Sequence, residues 1–146
     1  MGMFDFLKNV GASIFGRGKS EAEEIEKLLK TDLGDKLTDL KVEFNKGVVT
    51  LSGKADSHAT KEKAVLLAGN IKGVEKVEDE GLIAPKPEEE TEFYTVKKGD
   101  SLSKIAKAYY GNAMKYPVIF EANREVIKDP NLIYPGQVLR IPKIAK

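Results

Sequence analysis

Asp56-Ser57-His58 brings the three side-chain types of a hydrolytic triad together. Such a triad works only when a base reaches the nucleophile and a carboxylate reaches the base. Consecutive residues at a helix entrance point in different directions, so these three read as a helix cap followed by an exposed histidine. Glu88-Glu89-Glu90 clusters carboxylates, but beside Pro85 and Pro87 it lies in a linker and lacks the fixed separation that acid–base work needs. Gly16-Arg17-Gly18-Lys19-Ser20 ends like a phosphate-binding loop. That motif wants a glycine where Ser13 stands, and a strand before it where helical spacing is found. There is no cysteine, and His58 is the only histidine, so disulfides and thiolate metal sites are excluded and a zinc site is disfavoured. The chemistry-bearing residues point away from an enzyme.

Composition narrows the classes further. The chain has 146 residues, 41% apolar and 32% charged, with a net charge of +1. That is a globular balance with no electrostatic case for nucleic acid or an anionic membrane surface. No apolar run approaches membrane-spanning length. The start, MGMFDFLKNVGASIFGRGKS, lacks a leading basic region and a small-residue cleavage site. A myristoylation motif fails because Phe6 stands where Ser or Thr is required. These features set the expectation of a monomeric cytoplasmic protein.

The elements emerge from spacing. Met3, Phe4, Leu7, Val10 and Ile14 predict a short amphipathic helix over residues 3–15, which should dock on the neighbouring domain. Ser20 with Glu23 predicts a capping box for a helix over residues 21–30, and residues 31–39 read as a loop. Leu40, Val42 and Phe44 alternate with Lys41 and Glu43, Asn45-Lys46-Gly47 turns, and residues 48–51 return with Gly53 closing the strand. Asp56 or Ser57 caps a helix through Ala68. Gly69-Asn70-Ile71-Lys72-Gly73-Val74 is its exit, and a strand with imperfect alternation runs over residues 74–83.

Residues 94–142 form the most patterned stretch. Tyr94-Thr95-Val96 alternates, Lys97-Lys98-Gly99-Asp100 turns, and Leu102, Ile105, Ala106 and Tyr109 repeat at helical spacing up to Gly111. A second helix carries Val118, Ile119, Phe120 and Ala122. Tyr134-Pro135-Gly136-Gln137 turns into the strand Val138-Leu139-Arg140-Ile141. On YTVKKGDSLSKIA, Asn123 and IYPGQVLRIP, this β-α-α-β unit resembles a LysM domain. The resemblance implies binding of chitin or peptidoglycan through N-acetylglucosamine. The sugar would lie between Gly99, Asp100, Ser101 and Leu102 on one loop and Asn131, Ile133 and Tyr134 on the other.

VEFNKGVVTLSG, the helix after it and GNIKGVEKV make the preceding α-β-β-α-β block similar to a BON domain. The expected organisation is α+β in two small domains. An N-terminal helix and link occupy 1–19, the BON unit 20–83, a linker 84–92 and the LysM unit 93–143. The two units in this order, with an MGxFxFxK start, resemble the bacterial cytoplasmic potassium-binding BON–LysM family. That resemblance implies a non-enzymatic protein that binds K⁺ over Na⁺ and compacts on binding, with the two domains docked. Rings of neutral carbonyls can replace the water shell of K⁺, so no acidic cage is needed. In the segments that match the family, the expected ligands are carbonyls of Leu7, Lys8, Val10, Gly69, Ile71 and Val74. A helix end leaves carbonyls unpaired at the negative end of its dipole, and glycine tolerates the turn that frees them. The alternatives are glycan binding through the LysM loops, or an adaptor that recruits protein partners.

Overall fold

The computed structural model describes residues 3–6, 20–86 and 91–143. In the N-terminal domain, strand β2 (Leu37–Asn45) and strand β3 (Val48–Ala55) form an antiparallel hairpin. Lys46 and Gly47 take φ of 48° and 85°, the left-handed pair that matches the turn to the twist of the strands. Strand β4 (Lys76–Ile83) runs parallel to β3 and is reached through helix α2 (His58–Gly69). Helix α1 (Glu21–Leu33) packs on α2 and β2. Ile25, Leu29, Val49, Leu51, Leu66, Ile71 and Leu82 form the buried centre.

The first strand is a correction. Met3–Asp5 is strand β1, antiparallel to β4, where helical spacing indicates a helix. The sheet order is β1-β4-β3-β2, so β1 pairs the edge of β4 that would otherwise be open. A short isolated helix has no such gain. Residues 7–15 of the expected helix lie outside the described residues.

Other boundaries move for local reasons. Helix α1 continues to Leu33, and Leu37 already belongs to β2, because both side chains are buried in the core. Only a turn at Gly34–Lys36 remains of the expected loop. Ser20 is the N-cap of α1 but its side chain makes no capping bond, so the capping box does not form. Three acidic residues in the first turn, Glu21, Glu23 and Glu24, face the positive end of the helix dipole instead. Gly53 does not close β3. It sits inside the strand at φ 126°, where a Cβ would meet Asp39 O at 2.7 Å. The imperfect alternation of β4 is a bulge. Thr50 pairs Glu78 and Ser52 pairs Gly81, so one β3 residue spans two of β4. The buried positions change phase accordingly, from Val77 and Asp79 to Leu82.

In the C-terminal domain, strand β5 (Thr91–Thr95) pairs antiparallel with strand β6 (Val138–Pro142). Thr91 and Glu92 therefore belong to β5, although the expected linker included them. Helix α3 (Leu102–Tyr110) starts at Ser101, whose hydroxyl accepts the Lys104 N–H, and stops at left-handed Gly111. Helix α4 (Tyr116–Ala122) comes next. Leu102, Ile105, Ile119, Ile127, Leu139 and Ile141 make the second core.

The cores meet. Val138 of β6 belongs to the N-terminal cluster, and Phe93 and Val126 pack against it. Helix α2 is buried along nearly its whole length, with Ala64, Val65, Leu66, Leu67 and Ala68 consecutive. Its second half, residues 64–69, is apolar on all sides and so has neighbours on all sides. Here they are α1, β1, β3, β4 and β6.

Candidate functional site

The exit of α2 lies where the two domains meet. Ser57 starts the helix by accepting the Thr60 N–H at 3.1 Å. Asn70 ends it, with its N–H bound to Leu66 O at 2.9 Å. Gly69, Ile71 and Val74 are all buried, and Lys72 between them is exposed. Ile71 O accepts the Val74 N–H at 3.1 Å, which closes the turn, and Gly73 takes φ 104°. Among the described residues no backbone donor outside the regular elements reaches Gly69 O or Val74 O. The peptide linking Gly69 to Asn70 is planar and trans, so its C=O points opposite to its N–H. With that N–H directed back into the helix at Leu66, Gly69 O points out of the helix end. Carbonyls in this position suit a weakly hydrated cation. No group of three or more acidic or imidazole side chains converges among the described residues.

Gly69 is glycine for a reason other than backbone freedom. The Phe6 ring lies over it, and a Cβ there would fall 2.1 Å from the ring. Gly69 keeps helical geometry, and it is Gly73 that uses the left-handed region. Phe6 is buried, and its N–H donates to Glu75 O at 2.8 Å. The chain thus passes the α2 exit immediately before residue 7. Leu7, Lys8 and Val10 themselves lie outside the described residues.

Asn70 links the turn to the other domain. Its Nδ2 donates to Val138 O at 2.8 Å, and its Oδ1 accepts the Val138 N–H at 2.9 Å. Its own carbonyl faces the Tyr134 hydroxyl at 3.5 Å. Further along the seam, Glu62 of α2 accepts from Arg140 Nε at 3.0 Å and from the Thr91 hydroxyl. His58 is half-buried rather than exposed, with Nε2 3.8 Å from Glu62. Lys63 Nζ lies 2.7 Å from Glu125 Oε1, and Lys36 reaches the other oxygen at 3.4 Å. Burial is the largest influence on Glu125 and opposes its charge, but Lys63, the backbone N–H of Glu125 and Lys36 together outweigh it and hold the carboxyl below its ordinary range. Asp79 of β4 is the opposite case: burial dominates and raises its pKa despite Lys61.

The loops implied for a glycan are adjacent, since Val96 exchanges hydrogen bonds with Gly136 and Gln137. Their residues do not all face outward. Gly99 and Asn131 are exposed. Leu102 is in the core. Ser101 caps α3. Asp100 accepts the Lys97 N–H at 2.8 Å and the Tyr94 hydroxyl at 2.5 Å. That hydroxyl bond pushes the Tyr94 pKa up to about 12 and lowers that of Asp100. Ile133 packs on the second core. Tyr134 is half-buried against Asn70, and burial raises its pKa.

The roles of the Asn70 side chain, the Glu62–Arg140 pair and the clamp on Glu125 are not legible in the sequence. Asn70 reads there as one residue of a helix exit, and nothing separates Glu62 from Lys61 and Lys63 in the chain. The partners of Asn70 and Glu62 are 68 and 78 residues away, beyond the reach of any local pattern.

The fold and this seam define a two-domain protein in which a BON unit precedes a LysM unit. A BON domain model matches residues 21–84 and a LysM domain model residues 94–142. The potassium binding protein Kbp of Escherichia coli O6:H1 is 40% identical over 150 residues, which cover 98% of this chain and 99% of that protein. The chain belongs to the BON–LysM family that includes Kbp. An uncharacterized protein of Deinococcus radiodurans is 44% identical over 104 residues, 64% of this chain and 40% of that one. An esterase of Mycobacterium tuberculosis shares 50% identity over 48 residues, only 10% of its own length. No helix among the described residues is long and apolar enough to cross a membrane.

Proposed function

We propose that this chain binds K⁺ reversibly and compacts as it does so, without catalysing a reaction, in the cytoplasm. The ligands are backbone carbonyls of Gly69, Ile71 and Val74 at the α2 exit together with those of Leu7, Lys8 and Val10. The observation that carries the reading is the full-length relation to a potassium binding protein. The location is supported by Phe6, which lies on Gly69 and brings the chain to the α2 exit just before residue 7. Neutral carbonyls replace a hydration shell without an acidic cage, and K⁺ gives up its water more readily than Na⁺. The negative end of the α2 dipole adds to the attraction.

A ligand that binds only the ordered form stabilises it by RT ln(1 + [L]/Kd), about 2.7 kcal/mol at a hundredfold excess over Kd. KCl is expected to raise the melting temperature more than equal NaCl. Amide NMR shifts in KCl are expected to concentrate at residues 7–11 and 69–74. Equal responses to both salts overturn the reading. Shifts confined to 99–102 and 131–136 move the site to the LysM loops.

A further inference from the structure

We infer that Asn70 is a positioning residue that couples the ion-binding turn to the LysM strand β6. This rests on the K⁺ reading above. Asn70 is 8% exposed and every polar group it has is engaged. Its N–H goes to Leu66 O, its carbonyl faces Tyr134, and its amide side chain takes both the N–H and the C=O of Val138. The side chain pairs with the free edge of β6 as a residue of a third strand would. Gly69 and Ile71, two of the carbonyl ligands, are its immediate neighbours in the chain. Fixing the Asn70 backbone fixes the peptide plane that carries Gly69 O. The LysM domain thus holds the turn in shape through one side chain, and an ion that orders the turn tightens the hold on β6. The amide acts as an outer-shell partner does at a metal site: it orients the ligand without touching the ion.

The ion pairs across the seam lie elsewhere, on α2, on α1 or on the Gly34–Lys36 turn. Arg140 meets Glu62, Glu125 meets Lys63, and Lys128 meets Asp32 at 3.2 Å. They join the domains without reaching the turn, so they separate coupling from docking.

The test is a K⁺ titration of Asn70→Ala beside the native chain and Lys128→Ala, each repeated in NaCl. Losing an outer-shell partner typically weakens metal binding about 10- to 100-fold. Asn70→Ala should lose K⁺ affinity in that range and discriminate less between K⁺ and Na⁺, while Lys128→Ala keeps native affinity. Amide exchange on the native chain needs no variant. K⁺ should protect the Val138 N–H, held by Asn70, more than the Arg140 N–H, held by Asn123 within the LysM domain. A K⁺-specific response of the native chain with unchanged Asn70→Ala affinity, or with equal protection gains at Val138 and Arg140, overturns the coupling alone. No K⁺-specific response in the native chain overturns the binding reading, and the coupling falls with it.

Discussion

Two asparagines close the same edge of β6, one from inside the LysM domain and one from outside it. Asn123 Nδ2 donates to Arg140 O at 2.8 Å, and its Oδ1 accepts the Arg140 N–H at 2.9 Å. Asn70 does the same at Val138, two residues earlier on the strand, with distances of 2.8 and 2.9 Å. The chemistry is identical and both side chains are buried. The difference lies in what each asparagine is attached to. Asn123 sits at the end of α4 and also binds Ile119 O, so it closes a small domain on itself. Asn70 sits at the end of α2, in the turn proposed to bind K⁺, so its bonds report on whether the two domains are together. One hydrogen-bonding pattern serves as a core fastener in one place and as a coupling in the other.

The largest effect on this comparison should come from Arg140, which lies between the two roles. Its backbone is held by Asn123, and its guanidinium enters the seam to Glu62. The Arg140 side chain is 4% exposed and that of Glu62 11%. Removing one partner of such a pair leaves a buried charge, at a cost of about 3–5 kcal/mol. Arg140→Ala should lower urea-denaturation stability by that order. Replacing both residues by apolar ones of similar size should restore much of the loss, and a double variant no better than the single one would mean that the pair is not the source.

Next is Asn123→Ala. It strips the partners from the Arg140 N–H and C=O and from Ile119 O, and a buried polar group left unpaired costs about 1–3 kcal/mol. The LysM domain should lose at least the cost of one such group, about 1–3 kcal/mol, read by denaturation, with the K⁺ response at residues 69–74 retained while the chain is folded. If Asn123→Ala instead removed the K⁺ response from a folded chain, the division between fastener and coupling would fail.

The smallest expected effect is on pH dependence, and its sign differs between regions. Burial raises Asp79 above its ordinary 3.8. The folded state then holds the extra proton, so this contribution is fully present below 3.8 and is lost as pH rises through the raised value. Glu125 is the reverse. Its folded pKa lies below 4.5, so its contribution is present above that value and is lost as pH falls through the lowered one. Acidification should therefore release the clamp on Lys63 while favouring the β4 core. Carboxyl titrations by NMR should show Asp79 above and Glu125 below their ordinary values. In Glu125→Gln, the acid-dependent part of domain docking, followed by small-angle scattering, should flatten. An unchanged acid response would remove Glu125 from the seam.

Local chemistry is readable wherever a residue's neighbours in the chain are also its neighbours in space. The Asn45-Lys46-Gly47 turn, the Ser57 and Ser101 caps and the Gly111 stop are all of this kind. Boundaries shift where distant burial decides them. Leu33 extends α1 because it reaches the core, and Gly53 is required by the carbonyl of Asp39, which lies opposite it where the β2–β3 register shifts between Thr38 and Lys41. Met3–Asp5 carries spacing that suits a helix, but the unpaired edge of β4 makes it a strand. Of the candidate ion ligands, the GNIKGV exit stands out by its glycines, although Gly69 answers to the Phe6 ring.

By itself the sequence determined the α+β class, the two units and their order, and the family to which the chain belongs. Spacing, turn residues and motif residues act over a few positions and survive without knowledge of the whole. Only the tertiary structure decided that Phe6 covers Gly69, that Glu62 meets Arg140, and that the amide of Asn70 completes the edge of Val138. Those contacts join residues far apart in the chain, and a buried polar group takes whichever partner packing brings within reach.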